Sequence, residues 1–284
     1  MRIASAWRDF EVLDASAGEK LERWGEHILI RPDPQVIWNT PKGGEWKRAE
    51  ARYVRGETGG GRWNNAEIEK RQWTVSYRDL RFHVRPTGFK HTGLFPEQAV
   101  NWDFCRENIT AGMNVLNLFA YTGGATLACL AAGAQVCHVD ASKGMVAWAR
   151  ENAALSGLSD KPCRWITDDC KKFVERELRR GSRYDGVIMD PPSYGRGPGG
   201  EIWKLEDALY GLAALCAGLL SDDARFMIIN SYTTGLSASV MEYVLGALVQ
   251  KKRGGTLMSS EIGLPVKASN LALPCGNTAI WSAE

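Results

Sequence analysis

Two rhythms of apolar and polar positions divide the chain. From about residue 26 to 104, short runs nearly alternate: "HILIRP", "QVIWNT", "EARYVRG", "QWTVSY" and "LRFHVRP". Turn-rich pieces such as "RPDP", "TPKGGE" and "GETGGGRWNN" separate them. A period of two turns one face of each run toward a core, which predicts a small β-rich unit. From about residue 112, short and nearly continuous apolar runs alternate with longer stretches of helical period. "MNVLNLFAY" leads to "GATLACLAAGA", "QVCHVD" to "SKGMVAWARENAALSG", "CRWITD" to "CKKFVERELRRG", "YDGVIMD" to "EDALYGLAALCAGLLS", and "ARFMIIN" to "SASVMEYVLGALVQ". Such alternation predicts an α/β fold: a doubly wound, Rossmann-like parallel sheet covered on both faces. "GGTLMSSEI" and "NTAIWSA" read as two closing strands.

Composition changes this picture little. With 284 residues, 44% hydrophobic and 24% charged, the chain reads as an ordinary soluble protein able to bury a real core. No window is long and apolar enough to span a membrane, and acids occupy the start where an export signal needs an apolar run. Seven cysteines without a C-x-x-C pair point to a reducing cytoplasm, and four scattered histidines give no zinc signature. Net charge of +2 decides nothing about partners, but residues 41–90 carry twelve Lys/Arg against six Asp/Glu. Trp46, Tyr53, Trp63, Trp73, Tyr77, Phe82 and Phe89 are interleaved with them. Two readings follow: a surface for phosphates and stacked bases, or solvated charges on strands whose aromatics face inward.

In a doubly wound sheet the first strand-to-helix loop is the usual cofactor site. Here it reads "NLFAYTGGATLA". Gly123 and Gly124 permit a close backbone approach to a ligand and tight packing of the following helix. The loop lacks the G-x-G-x-x-G of a dinucleotide site and the pattern of a phosphate-binding P-loop, which weakens the case for a NAD(P)-dependent oxidoreductase. Asp140 ends the second strand, where its carboxylate could take both hydroxyls of a ribose or cap the next helix. Asp168 and Asp169 end the third, one a candidate for an adenine amino group and the other for a helix cap. An adenosine-containing cofactor suits these acids.

"VLNLFAYTGGATLACLAAGAQVCHVDASKGMVAWARENAALSGL" and "ITDDCKKFVERELRRGSRYDGVIMDPPSY", with "HTGLFPEQAVNWDF" and "LPCGNTAIW", resemble the bacterial S-adenosylmethionine-dependent methyltransferases of large-subunit ribosomal RNA, both cytosine-C5 and guanine-modifying. The resemblance covers roughly residues 88 to 281. It implies a class I methyltransferase sheet with an antiparallel last strand, S-adenosylmethionine as cofactor and ribosomal RNA as substrate. It places Asn117, Phe119, Tyr121, Thr122 and Gly123 around the methionine part of the cofactor, Asp140 with Ala141 at the ribose, and Asp169 with Asp168 at the adenine. Relatives usually carry arginines near Ala99 and Asn101, so Gln98 is the contact expected from that stretch. The expected domains are a β-rich substrate-recognition domain over 1–104 and a catalytic domain over 105–284, without the relatives' N-terminal PUA domain.

Cytosine-C5 chemistry needs a thiolate to add to the base, and "MIINSYTTGL" has Tyr232 where that cysteine would stand. The expected reaction is therefore direct in-line transfer to a nitrogen. In "DGVIMDPPSYGRGPGG", Asp190 and the Pro191 carbonyl would accept from the acceptor nitrogen, while Pro192 stiffens the backbone. Tyr194 would stack on a flipped base, or else pack beneath the loop. Asn230 and Ser231 are further hydrogen-bonding candidates, Trp203 and Lys204 possible substrate contacts, and residues 195–200 a candidate flap. Alternatives in view are a protein or small-molecule amine acceptor, the oxidoreductase, and a non-catalytic RNA-binding module. No metal is expected.

Overall fold

The computed structural model describes residues 1–56, 60–88, 90–196, 202–233 and 235–284. They form two compact units, one of Met1, 101–262 and 276–284, the other of 2–100 and 263–275.

The larger unit holds the sheet predicted from the strand and helix alternation. Its elements are β1 (Asn114–Leu118), α1 (Gly124–Ala131), β2 (Gln135–Asp140), α2 (Lys143–Leu155), β3 (Cys163–Thr167), α3 (Cys170–Arg180), β4 (Gly186–Met189), α4 (Leu205–Ala217), β5 (Phe226–Ser231), α5 (Ala238–Leu245), β6 (Thr256–Val266) and β7 (Leu271–Ser282). The strand order is β3-β2-β1-β4-β5-β7-β6. β1 to β5 run parallel with their neighbours, and β7 lies antiparallel to β5. This is the Rossmann-like methyltransferase arrangement that the resemblance implies. β6 and β7 are longer than the two closing runs suggested, and their outer ends belong to the second unit.

Local chemistry explains where the helices begin and end. Ser142 Oγ accepts from Met145 N and Asp169 accepts from Lys172 N, capping α2 and α3, and Gly181 at φ 70° ends α3. α5 runs on through one π-helical turn at Gly246–Gln250. One face of the sheet carries Leu116, Leu118, Val139, Met189 and Ile229, packed with Leu209, Leu212 and Met241 in an apolar cluster. The other face alternates out of that cluster and places Asn117, His138, Asn230 and Thr278, all buried, against helices.

The second unit is β-rich, as expected, but its strands start earlier. Phe10–Ser16, Glu19–Trp24 and His27–Pro32 form a meander, to which Ala51–Arg55 and Gly61–Trp63 add. The second was masked by charge in "EKLERW": Glu22 is fully buried and pairs with Arg31 at 2.5 and 2.9 Å. "QVIWNT" is not a strand. It bonds to a left-handed turn instead, with Ala17 N donating to Trp38 O and Gly18 N to Val36 O, both at 2.8 Å. Trp73–Tyr77 and Leu80–Val84 form a separate hairpin. Trp46, Tyr53, Trp63, Tyr77 and Phe82 are buried and Trp73 is half-buried, so the inward-facing reading of these aromatics holds; Phe89 lies outside the described residues.

Candidate active site

The strand order reverses between β1 and β4, and crevices at such a switch point are where open α/β sheets bind ligands. Register aligns the carboxyl ends: Leu118 lies opposite Val139 and Met189, Asp140 opposite Thr167, and Met189 opposite Ile229. The rim of the larger unit therefore brings together Phe119, Asp140, Asp168, Asp190 and Asn230.

The loop after β1 is held in an unusual backbone. Phe119 and Tyr121 have φ of 55° and 50°, and Gly123 has 91°. Non-glycine residues adopt such angles only when their surroundings over-determine them. Here Ala120 N donates to Val139 O at 3.1 Å, Tyr121 N to Asp140 Oδ2 at 2.9 Å, and Asn152 Nδ2 to Thr122 O at 2.9 Å. Phe119 N also donates to Cys170 Sγ at 3.3 Å.

The two glycines serve packing within the protein. A Cβ on Gly123 would come within 3.0 Å of Ala149 Cβ, and one on Gly124 within 2.5 Å of Trp102 Cζ2. The side of each Cα expected to meet a ligand thus faces a side chain. Asn117 is engaged within the protein. Its amide is buried and donates to Thr126 Oγ1 at 2.9 Å, which in turn contacts His138 Nδ1 at 2.9 Å, so it braces α1 on the sheet.

Asp140 accepts one backbone amide on each oxygen, from Tyr121 at 2.9 Å and from Ser142 at 2.8 Å. Burial raises its carboxyl above the usual range, and the two amides pull against that. Each oxygen retains a second lone pair for a hydroxyl. Ala141 beside it is exposed. Asp169 is the helix cap, through Lys172 N at 2.9 Å, while Asp168 pairs with Arg176. An adenosine fits this set of groups: Asp140 keeps a lone pair on each carboxylate oxygen, Asp168 and Asp169 follow the end of β3, and the loop between β1 and α1 is tightly turned. Gln98 belongs to the second unit, buried at the end of the 3-10 turn Pro96–Gln98.

After β4, Asp190 is half-buried, Pro191 buried and Pro192 exposed. The Pro192 carbonyl accepts Trp203 Nε1 at 2.7 Å. Tyr194–Arg196 pairs with Ile202–Lys204, setting Gly195 opposite Trp203. Tyr194 is 53% exposed, so its ring does not pack beneath the loop. The remainder of the expected flap, 197–200, lies outside the described residues. Trp203 also meets the Phe119 ring at 5.8 Å, tying the segment after Asp190 to the loop after β1.

No cysteine stands at the ends of β4 or β5, and Tyr232 is half-buried with its ring 3.0 Å from where a Gly276 Cβ would be. Burial pushes the Cys137 and Cys163 thiols up to about 11 and about 12 and raises Cys170, Cys216 and Cys275 as well. None of these five is a thiolate near neutral pH. Among the described residues no His/Cys/Asp/Glu cluster could hold a metal. Trp102, Asn152 and Asn101 take part in this arrangement without a sequence motif to mark them; a tryptophan and two amides within otherwise helical stretches are the only signal they leave in the sequence.

The profile of a family described as S-adenosylmethionine-dependent methyltransferase matches residues 38–217. A crystal structure of a SAM-dependent methyltransferase from Agrobacterium tumefaciens is 36% identical, with a TM-score of 0.92 over 100% of this chain and 93% of that one. The ribosomal RNA large subunit methyltransferase K/L of Chromohalobacter salexigens is 34% identical over 167 residues, 57% of this chain and 21% of the relative. The enzyme of the same name from Shewanella sp. strain MR-4 is 31% identical over 140 residues, 49% of this chain and 20% of the relative. The chain thus spans about a fifth of the length of these curated relatives.

Proposed function

The chain belongs to the S-adenosylmethionine-dependent methyltransferase family, and we propose that it methylates a base nitrogen of ribosomal RNA by direct in-line transfer. When bound, S-adenosylmethionine supplies a methyl group already activated on a sulfonium, so the chain's task is alignment and exclusion of water. In this reading Asp140 with Ala141 holds the ribose, Asp169 with Asp168 the adenine, and the turned backbone from Phe119 to Gly123 the methionine part. Asp190 and the Pro191 carbonyl accept the N–H of the acceptor and aim its lone pair. As the N–CH3 bond forms and the methyl–sulfonium bond breaks, leaving a thioether, that nitrogen would become acidic, and in this reading Asp190 would take its proton. Tyr194 offers a face to a flipped base.

The observation that carries this reading is the acid-proline strand end at the switch point, next to a tightly turned loop that fits an adenosine cofactor and with no cysteine in the segments that follow β4 and β5. The second unit supports RNA as partner through exposed cations, among them Arg55, Arg62 and Lys47, rather than through its buried aromatics. We assign it substrate recognition by phosphate contacts, and place the enzyme in the cytoplasm with its substrate. No described helix is long and apolar enough to cross a membrane.

The test incubates the protein with labelled S-adenosylmethionine and ribosomal RNA from cells lacking it, then identifies the product. An N-methylated base is expected. Methyl-5-cytosine would overturn the direct-transfer reading, and label confined to protein or small amines would transfer the activity to that acceptor class. Asp140→Ala is expected to weaken cofactor binding at least tenfold by calorimetry.

A further inference from the structure

The polar face of the larger unit's sheet carries two buried side-chain networks at its carboxyl edge. Asn117, Thr126 and His138 form one, under the loop after β1. In the other, Asn101 Nδ2 donates to Asn230 Oδ1 at 2.9 Å and to Thr278 Oγ1 at 3.3 Å. All three members of this second network are 3% exposed or less. Burying two amides and a hydroxyl there costs free energy unless they satisfy one another, so a side chain placed by such a network is closely fixed.

What it fixes matters because of the strand register. Met189 and Ile229 are paired neighbours in the apolar cluster, so the next residues, Asp190 and Asn230, turn together to the polar face. Asp190 is the acid that receives the acceptor nitrogen in the reading above. With its carbonyl oxygen committed to Asn101, Asn230 is left to present its amide NH2. An acid that accepts and an amide that donates, side by side, suit a nucleobase edge on which an N–H lies next to a ring nitrogen or carbonyl oxygen.

Asn101 is followed in the same helix, Ala99–Asn108, by Trp102, whose ring fills the space over Gly124 where α1 begins. One helical turn thus braces both the strand end beside the acceptor and the helix that follows the cofactor loop.

We propose that Asn230 hydrogen-bonds the methyl acceptor beside Asp190, and that Asn101 is the positioning residue that turns its amide that way. The proposal rests on the RNA reading. Misplacing an acceptor by a fraction of an ångström is costly in a displacement that must be in line, so the effect belongs to turnover.

The experiment measures single-turnover methyl transfer to ribosomal RNA from cells lacking the protein, alongside calorimetric affinity for S-adenosylmethionine and for that RNA. Asn230→Ala and Asn101→Ala are each expected to slow transfer roughly 10- to 100-fold with cofactor affinity within about twofold of wild type. The double variant is expected to be no slower than Asn230→Ala, because both act through one amide. Asn101→Asp keeps the size of the side chain but can only accept here; it turns the Asn230 amide around and is expected to slow transfer while preserving cofactor affinity.

Transfer at the wild-type rate by Asn101→Ala or Asn101→Asp, or additive losses in the double variant, would overturn the proposal while leaving RNA as substrate intact. Equal losses of cofactor affinity and transfer would reduce Asn101 to a structural role. Wild-type protein that labels no RNA would instead defeat the RNA reading, and this proposal with it.

Discussion

Gly124 has no room for a methyl group, because the edge of Trp102 occupies the place where its Cβ would stand, at 2.5 Å. Gly124→Ala should therefore displace Trp102 and destabilise the larger unit by ~1–3 kcal/mol, the usual cost of overpacking. Removing the ring as well, in Gly124→Ala with Trp102→Ala, should recover part of that loss. Denaturant unfolding of the four members of this cycle checks it, and simple additivity would show that the two residues do not share the space. The same contact shows the limit of reading glycines from sequence. Adjacent glycines in "YTGGAT" announce close approach but not to what, since the partner lies some twenty residues earlier in the chain. The place of Asp140 at a strand end was legible, but not that its carboxylate accepts the amides of Tyr121 in the loop and of Ser142, the cap of the next helix.

At the scale of elements, the hairpin of Tyr194–Arg196 and Ile202–Lys204 converts "DPPSYG" from a strand end into part of a rim. Trp203 holds it down twice, through its Nε1–H on the Pro192 carbonyl and through its ring near Phe119. Trp203→Ala should lower kcat for methyl transfer about tenfold, with a smaller effect on the affinity for S-adenosylmethionine. Trp203→Phe, which keeps a ring but loses the N–H, should fall between. Steady-state kinetics with both variants decides the matter; an Ala variant with unchanged kcat would leave the hairpin without a part in alignment. The pairing was invisible in the sequence because glycine-rich stretches lack the periodicity that reports a strand.

At the scale of the whole molecule, two buried histidines and two paired glutamates make stability fall as pH drops below neutral. Burial pushes His138 down to about 3. His91 also falls to about 3, through burial and then through Arg31, Lys90 and Lys20. Both take up a proton near 6.5 once unfolded, so from about 6.5 downward the unfolded chain binds protons that the fold refuses. Glu22 and Glu177 work in the same sense lower down. Burial pushes each carboxyl up, but Arg31 and Lys20 around Glu22, and hydrogen bonds from Tyr184 and Arg164 to Glu177, outweigh it and hold both at about 2. Stability should fall as pH drops from about 6.5, by ~1–2 kcal/mol per histidine between pH 7 and 5, and more steeply below about 4.5. Thermal melts at pH 7 and pH 5 check this, with a drop of several degrees expected and a smaller one for His138→Gln. A flat profile would contradict the buried, neutral state of both rings.

The sequence by itself determined the alternation of strands and helices, the acids at their ends and the absence of a thiol after β5, because each depends on periodicity or on a residue's own chemistry. It also carried the family, through strings long enough to be specific. Only the tertiary structure decided which side chains those groups meet. It seated Trp102 on Gly124, turned Asn117 inward to Thr126, divided the work of Asp168 and Asp169, buried Glu22 in a strand that reads as polar, and set Asn101 against Asn230. The physical reason is separation along the chain. Asn101 and Asn230 are 129 residues apart, and nothing in the local propensity of either records that folding places their amides within 2.9 Å.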